Sequence, residues 1–198
     1  FSGATALVAG AGGGMGLEIA AQLIRQGINV TMADVKDQPG DIPDGPGKWR
    51  YTQCDLTEQG EVESLVSSAR AEFGEIDYLA NTLGVLWFGR DVAAEDIDMA
   101  VWDQVFNINL RSIVLLVKQV VPSMKKAGAG SMVHISSIDA LRGDPVPQDA
   151  YGASKAALIR LSKSLAVQYA GQQIRSNVIL PGPALTPLQE RWQGKPDV

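Results

Sequence analysis

Tyr151 and Lys155 stand at i and i+4 in Tyr-Gly-Ala-Ser-Lys, so a helix through them presents a phenol and an ammonium on one face. A free phenol has a pKa of about 10, and it exchanges protons around neutrality only where a positive charge favours the phenolate. Lys155 supplies that charge. Upstream, Ser137 closes an apolar run at the edge where open α/β sheets gather their ligands, and its hydroxyl is suited to hold a carbonyl oxygen. Ser136 offers the same group, and Ser137 is the preferred of the two. The single histidine, His134, falls inside the same run and reads as a packed strand residue, so no metal is expected.

These groups need a scaffold, and the chain supplies one from its start. Thr5–Ala9 is a short apolar run, hence a buried strand, and Met15–Gln26 places Leu17, Ile19, Ala20, Leu23 and Ile24 at helical spacing before Gly27. Between them lies Gly10-Ala11-Gly12-Gly13-Gly14-Met15-Gly16. Glycines in a strand-to-helix turn let backbone N–H groups approach a pyrophosphate, with the helix N-terminus adding partial positive charge. The run fits both G-x-x-x-G-x-G and G-x-x-G-x-x-G, and no Gly-Lys-Ser/Thr follows, which excludes a P-loop. Asp34 ends the second strand near the ~20-residue offset of an acid that bonds an adenosine ribose 2′-hydroxyl. Its charge repels a 2′-phosphate, so NAD is favoured over NADP, although Lys36 is a base able to accept phosphate.

The alternation continues along the chain. Ile28–Ala33 and Trp49–Cys54 read as strands, joined by Val35–Lys48, a link with three Pro, three Gly and no helical period. Glu58–Phe73 is an amphipathic helix, Ile76–Asn81 a fourth strand, and Asp98–Lys126 a long helix with a kink expected at Pro122. Ser131–Ser136, the helix Ala150–Ala170 and the strand Ile174–Leu180 complete the pattern. Strands alternating with helices require a parallel sheet covered on both faces, a doubly wound three-layer α/β/α architecture.

Composition narrows the partners. At 198 residues, 45% apolar and 20% charged, the chain suits one globular domain, and its net charge of −5 disfavours nucleic acid. Cys54 is the only cysteine, which leaves no intrachain disulfide and fits a cytoplasmic setting. The longest aliphatic run, Ile113–Val117, is far too short by itself for a membrane span.

Taken together, the ordered motifs resemble the short-chain dehydrogenase/reductase family, in its branch with a single Rossmann domain. They are Gly10-x-x-x-Gly14-x-Gly16, Asp55, Asn81-Thr82-Leu83-Gly84, Asn109, Ser136-Ser137, Tyr151-x-x-x-Lys155, Asn177 and Pro181-Gly182. By that resemblance Ser137, Tyr151, Lys155 and Asn109 carry the chemistry, Asn109 in preference to Asn107 and by holding a water that links the lysine to solvent. The reaction implied is hydride transfer between NAD and a carbinol or carbonyl carbon, with Tyr151 as acid/base, Lys155 lowering its pKa and Ser137 holding the substrate oxygen. The cofactor contacts implied are Gly10, Gly13, Gly14, Met15, Gly16, Asp34, Cys54, Asp55, Leu56, Asn81, Gly84, Tyr151, Lys155, Pro181, Gly182, Ala184 and Thr186. Asp55 has a plainer alternative as a helix cap.

The helix-free link after Asp34 and the run Tyr151 to Leu158 also resemble 2,3-dihydro-2,3-dihydroxybenzoate dehydrogenases, which points to a cyclic alcohol or diol. Trp87, Phe88, Ile138 and Leu185 are candidates for an apolar substrate site, with Asp139, Arg142 and Arg90 selecting polar groups. Three departures stand out: Ala9 replaces the family's usual threonine, Thr82-Leu83 replaces Asn-Ala, and the Ser137–Tyr151 interval is one residue longer than in many members. Leu83 is expected to crowd the cofactor floor. The resemblance further implies a homodimer or homotetramer through the helices Asn109–Lys126 and Ala150–Ala170, and a seventh strand beyond the six visible, so the chain is expected to be part of a longer enzyme. The competing readings are a dinucleotide-binding sensor without turnover and a sugar-nucleotide epimerase or dehydratase. The full set Asn109, Ser137, Tyr151 and Lys155 opposes the first, and the lack of a large substrate domain opposes the second.

Overall fold

A computed structural model describes residues 3–42 and 44–184. Six strands form one parallel sheet: β1 (Thr5–Ala9), β2 (Asn29–Asp34), β3 (Trp49–Gln53), β4 (Tyr78–Asn81), β5 (Gly130–Ile135) and β6 (Ile174–Ile179). Their spatial order is β3-β2-β1-β4-β5-β6, all neighbours parallel. The chain winds outward from β1 to β3 and then returns to lay β4 against the other side of β1. That reversal opens a crevice between the C-terminal ends of β1 and β4, the place where doubly wound sheets bind ligands. The expected seventh strand lies outside the described residues.

The strands are apolar on both faces because helices cover both. Leu7 and Ala9 of β1, Leu79 of β4 and Met132 of β5 pack with Val62 and Leu65 of helix α2 (Gln59–Phe73) and with Ile113, Leu116, Val120 and Leu158 from later helices. On the opposite face Ala6, Val8, Val30 and Met32 meet Ala20 and Ile24 of α1 (Gly14–Arg25). The link between β2 and β3 holds no helix, as its composition implies, and folds back over the end of α1, where the Gly47 N–H donates to the Ile24 carbonyl at 3.0 Å.

The long helical stretch departs from expectation. α3 (Met99–Phe106) passes through one π-helical turn, Asn107–Arg111, into α4 (Ser112–Ala127), and the helix continues through Pro122. The irregularity sits at Asn107–Arg111 because the Asn109 side chain is drawn sideways onto the Val85 backbone, while Ser112 Oγ donates to the Ile108 carbonyl at 2.6 Å. A proline inside a helix costs about 3 kcal/mol; burial of Val120, Val121 and Met124 around Pro122 offsets that cost. Strand β4 begins at Tyr78 rather than Ile76, since the Ile76 N–H is taken by Ser123 Oγ at 2.7 Å. By length and composition Met99–Ala127 matches a membrane span, yet half of its most apolar window is buried inside the fold. Helix α5 (Asp149–Tyr169) then returns the chain to β6.

Candidate active site

Ser136 and Ser137 leave the end of β5 in opposite directions. Ser136 is buried and donates to the Lys155 carbonyl at 2.8 Å, anchoring α5. Ser137 has extended backbone and heads a short 3₁₀ turn, Ile138–Ala140, with its hydroxyl toward the phenol of Tyr151. Tyr151 and Lys155 share the inner face of α5, with Nζ 5.9 Å from the ring centroid of Tyr151. Three of the residue types that the sequence singles out therefore meet beside the crevice, and Ser136 is committed elsewhere.

The electrostatics differ from the simple expectation. Burial pushes the Tyr151 phenol above its ordinary value and the Asp139 carboxylate pushes it further, while the Ser137 hydroxyl acts in the opposite sense. Burial also pushes the Lys155 ammonium down to about 8. Lys155 Nζ donates to the Leu83 carbonyl at 2.9 Å and the Ile135 carbonyl at 3.0 Å, so two of its three N–H groups are held by the segment after β4 and the end of β5. Gly84 makes room for it, because a Cβ there would stand 2.8 Å from Nζ. Asn109 is fully buried; its Oδ1 accepts from the Val85 N–H at 2.8 Å and its Nδ2 donates to the Val85 carbonyl at 3.1 Å and to Ser154 Oγ at 3.0 Å. Asn107, by contrast, accepts from Arg111 near the surface. His134 is buried with neither ring nitrogen bonded among the described residues, and burial, helped by Lys155, pushes it down to about 4. Asn81 accepts from the Leu83 N–H at 3.2 Å, leaving its Nδ2 without a partner among the described residues.

The sequence gives no hint of one support. Asp91, in the loop between β4 and α3, is buried and accepts from the Ala150 N–H at 3.0 Å and the Tyr151 N–H at 2.8 Å. It caps the N-terminus of α5 from 60 residues away in the chain, where a carboxylate suits the positive end of the helix. Asp149 returns the contact by accepting from the Ala94 N–H at 2.9 Å. A carboxylate preceding an irregular loop carries no periodic or motif signal that would single it out.

Across the crevice, the glycine turn is built from backbone. Gly10 and Gly14 adopt φ of 84° and 53°, and a Cβ on Gly16 would lie 2.1 Å from the Gly10 carbonyl oxygen. Thr82, one of the family departures, clasps the turn with its hydroxyl 2.9 Å from the Ala9 carbonyl and 3.0 Å from the Gly10 carbonyl. The first turn of α1 has no acidic residue. A cavity of about 340 Å³ is lined by Gly10, Gly13, Gly14, Met15 and Gly16 and reaches Asp34, Lys36 and Gly84. It adjoins one of about 420 Å³ lined by Cys54, Asp55, Leu56 and Trp87, and Leu83 and Ile108 border both. The Asp34 carboxylate accepts from the Gly12 N–H at 2.8 Å and the Lys36 N–H at 3.1 Å. Asp55 accepts from the Thr57 N–H and hydroxyl, forming a turn immediately before the Glu58 cap of α2 rather than capping that helix itself. Cys54 is buried and its thiol is pushed up to about 11, which suits a wall rather than a nucleophile.

Of the residues expected to select polar groups on a substrate, Arg90 stacks over Trp87 at 4.7 Å and Arg142 lies 3.6 Å from Asp139. The Ile138 N–H donates to the Pro181 carbonyl at 3.1 Å, which ties the Pro181–Gly182 segment to this corner; Ala184 follows, whereas Leu185 and Thr186 lie outside the described residues.

The sequence model of the short chain dehydrogenase family matches residues 4–197. Oxidoreductase UcpA of Salmonella typhimurium is 35% identical over 208 residues, covering 100% of this chain and 76% of that protein. Cis-4-hydroxycyclohexanecarboxylate dehydrogenase of Sinomonas cyclohexanicum is 33% identical over 192 residues, covering 95% and 76% respectively. Among solved structures, levodione reductase superposes with a TM-score of 0.87 at 28% identity, over 96% of this chain and 76% of that one.

Proposed function

This chain belongs to the short-chain dehydrogenase family and is an oxidoreductase acting on CH–OH groups, and from that premise we propose that it moves a hydride between NAD and a small, cyclic secondary alcohol or ketone. The observation that carries this reading is the meeting of Ser137, Tyr151 and Lys155 at the mouth of a crevice whose other wall is a glycine turn. A nicotinamide dinucleotide fits that wall: Gly10, Gly13, Gly14, Met15 and Gly16 leave backbone exposed where side chains would fill the cavity, and α1 opens without an acid. Asp34 would take the adenosine ribose, since a carboxylate already accepting two N–H groups keeps lone pairs for two hydroxyls and repels a 2′-phosphate. Cys54, Asp55 and Leu56 would line the adenine side; Asn81 and Gly84 would floor the nicotinamide side, and Pro181, Gly182 and Ala184 would close over it. When bound, the cofactor supplies the hydride acceptor or donor.

The chain's own groups do the rest. Tyr151 exchanges the proton of the reacting oxygen, Ser137 holds that oxygen and stabilises its developing charge, and Lys155 favours the phenolate once its Nζ turns from the strand carbonyls. Asn109 keeps the π turn, Val85 and Ser154 in register around the lysine. The cyclic substrate follows from the named relative and the half-buried Trp87 beside the crevice. A second copy packed on α4 and α5, where Val114 and Val167 are exposed, gives the working dimer, in a cytoplasmic enzyme. The test follows reduced-nicotinamide absorbance with NAD and a panel of cyclic alcohols. Turnover that falls roughly 10²- to 10⁴-fold in Tyr151→Phe is the expected result; a variant as fast as the parent overturns the assignment, and NADH binding without turnover of any panel member would indicate a sensor.

A further inference from the structure

Ser137 has one proton, and a carboxylate sits on it. Its Oγ is 3.1 Å from Asp139 Oδ2, and the Asp139 N–H donates back to the same Oγ at 3.1 Å. An ionised carboxylate only accepts, so while the Tyr151 phenol keeps its own proton the Ser137 hydroxyl proton points to Asp139 and away from the position where a substrate oxygen must be held. Asp139 Oδ2 also receives Gln148 Nε2 at 3.2 Å, and Oδ1 lies 3.6 Å from Arg142 Nε; the Asp139 side chain is 18% exposed. Gln148, only 6% exposed, spends its other amide contact on Asp144 Oδ2 at 3.4 Å, and its Oε1 accepts nothing among the described residues. This corner thus holds excess acceptors next to the reacting centre.

We propose that Asp139 is the residue that sets substrate choice, by holding the Ser137 proton until a hydrogen-bond donor on the substrate, on the carbon next to the reacting one, takes its place. A hydroxyl or ammonium on that neighbouring carbon stands within hydrogen-bond distance of the reacting oxygen, which matches the 3.1 Å between Ser137 Oγ and Asp139 Oδ2. Two substrate groups then face two protein oxygens, the donor satisfies the carboxylate, and Ser137 is freed to donate to the reacting oxygen. A substrate lacking the second donor leaves Ser137 turned away and a carboxylate unsatisfied, the arrangement that discriminates most strongly in enzymes. The inference rests on the proposed oxidation of a cyclic alcohol. Its electrostatic half does not: Tyr151 is faced by Asp139 and Ser137 from the β5–α5 loop, by Lys155 from its own helix, and by Asp91 at its backbone N–H; burial is the main cause that raises the phenol, and the Asp139 carboxylate adds to it.

The experiment compares cyclohexanol with cis-1,2-cyclohexanediol, with NAD, in the parent chain, Asp139→Ala and Asp139→Asn. The parent is expected to favour the diol at least tenfold in kcat/KM, and both variants to bring the ratio near one, with the mono-alcohol improved in Asp139→Ala. A ratio unchanged by both substitutions, or a parent that favours the mono-alcohol, overturns the proposal. Alongside, the tyrosinate absorbance of Tyr151, isolated by subtracting Tyr151→Phe, is expected to titrate at lower pH in Asp139→Ala than in the parent, and an unmoved midpoint overturns the electrostatic half. Oxidation of neither alcohol by the parent strikes the activity reading instead, and the tyrosinate titration then decides the role of Asp139 by itself.

Discussion

The two walls of the crevice are made in opposite ways. On the β1–α1 side the cradle consists of backbone and of space, with Gly16 against the Gly10 carbonyl and Thr82 clasping the strand ends. On the β5–α5 side the corner around Tyr151 consists of buried side chains that hold backbone and one another: Asp91 on the Tyr151 N–H, Asn109 on Val85 and Ser154, Ser136 on the Lys155 carbonyl. A cradle of backbone yields when a side chain is added. A network of polar groups fails when one is removed, because a partner is left buried and unsatisfied.

That contrast is open to attack in descending order of effect. The corner keeps His134 neutral, which gives it a pH signature. Its folded pKa of about 4 lies below the ordinary 6.5, so the stability it contributes is fully present above about 6.5 and is lost as pH falls through about 4. His134→Leu should flatten the acid limb of urea-unfolding stability by about 3 kcal/mol across that window; an unchanged limb would mean that the imidazole finds water or a partner. Next comes Gly84→Ala, whose methyl would push on Lys155 Nζ from 2.8 Å. We expect kcat to fall about 100-fold with KM for NAD much less affected, since small misplacement of a reacting group is costly; equal losses in both would move Gly84 to the cradle.

Smaller still, Asp91→Ala should lower stability by about 1–2 kcal/mol, the cost of a lost helix cap, with Asp91→Asn recovering part of it in thermal unfolding. The mildest change is Asp34→Asn, where a neutral acceptor can still meet one of the Gly12 and Lys36 N–H groups. Its KM for NAD should rise roughly tenfold and its discrimination against NADP should fall, with stability within about 0.5 kcal/mol of the parent. A collapse in stability there would show that the cradle, too, is a side-chain network.

The same contrast explains what was legible in the sequence. The glycine turn is local, and its strand, turn and helix are contiguous, so Gly10, Gly14, Gly16 and Asp34 announce themselves by spacing. Tyr151 and Lys155 do so as well, being one helical turn apart. The sheet order follows from strand–helix alternation and right-handed crossovers. Asp91 and Gln148 do not show, because their meaning lies in partners brought together by the fold: the Tyr151 N–H sits 60 residues from Asp91. The π turn at Asn107–Arg111 escaped for a related reason. Pro122 is the visible breaker in that helix, whereas the distortion comes from Asn109 reaching for Val85. Burial, invisible to spacing, is the main cause that raises the Tyr151 phenol.

The paired aspartates Asp91 and Asp149 have a mechanical consequence. Each closes a hydrogen bond onto the other's segment, Asp91 onto the start of α5 and Asp149 onto Ala94. The loop that carries Trp87 and the helix that carries Tyr151 are therefore tied by three hydrogen bonds, so that a swing of the loop away from α5 has to break them. The tie has a built-in gauge: the amide protons of Ala150 and Tyr151 become free to exchange with solvent only when the loop lets go.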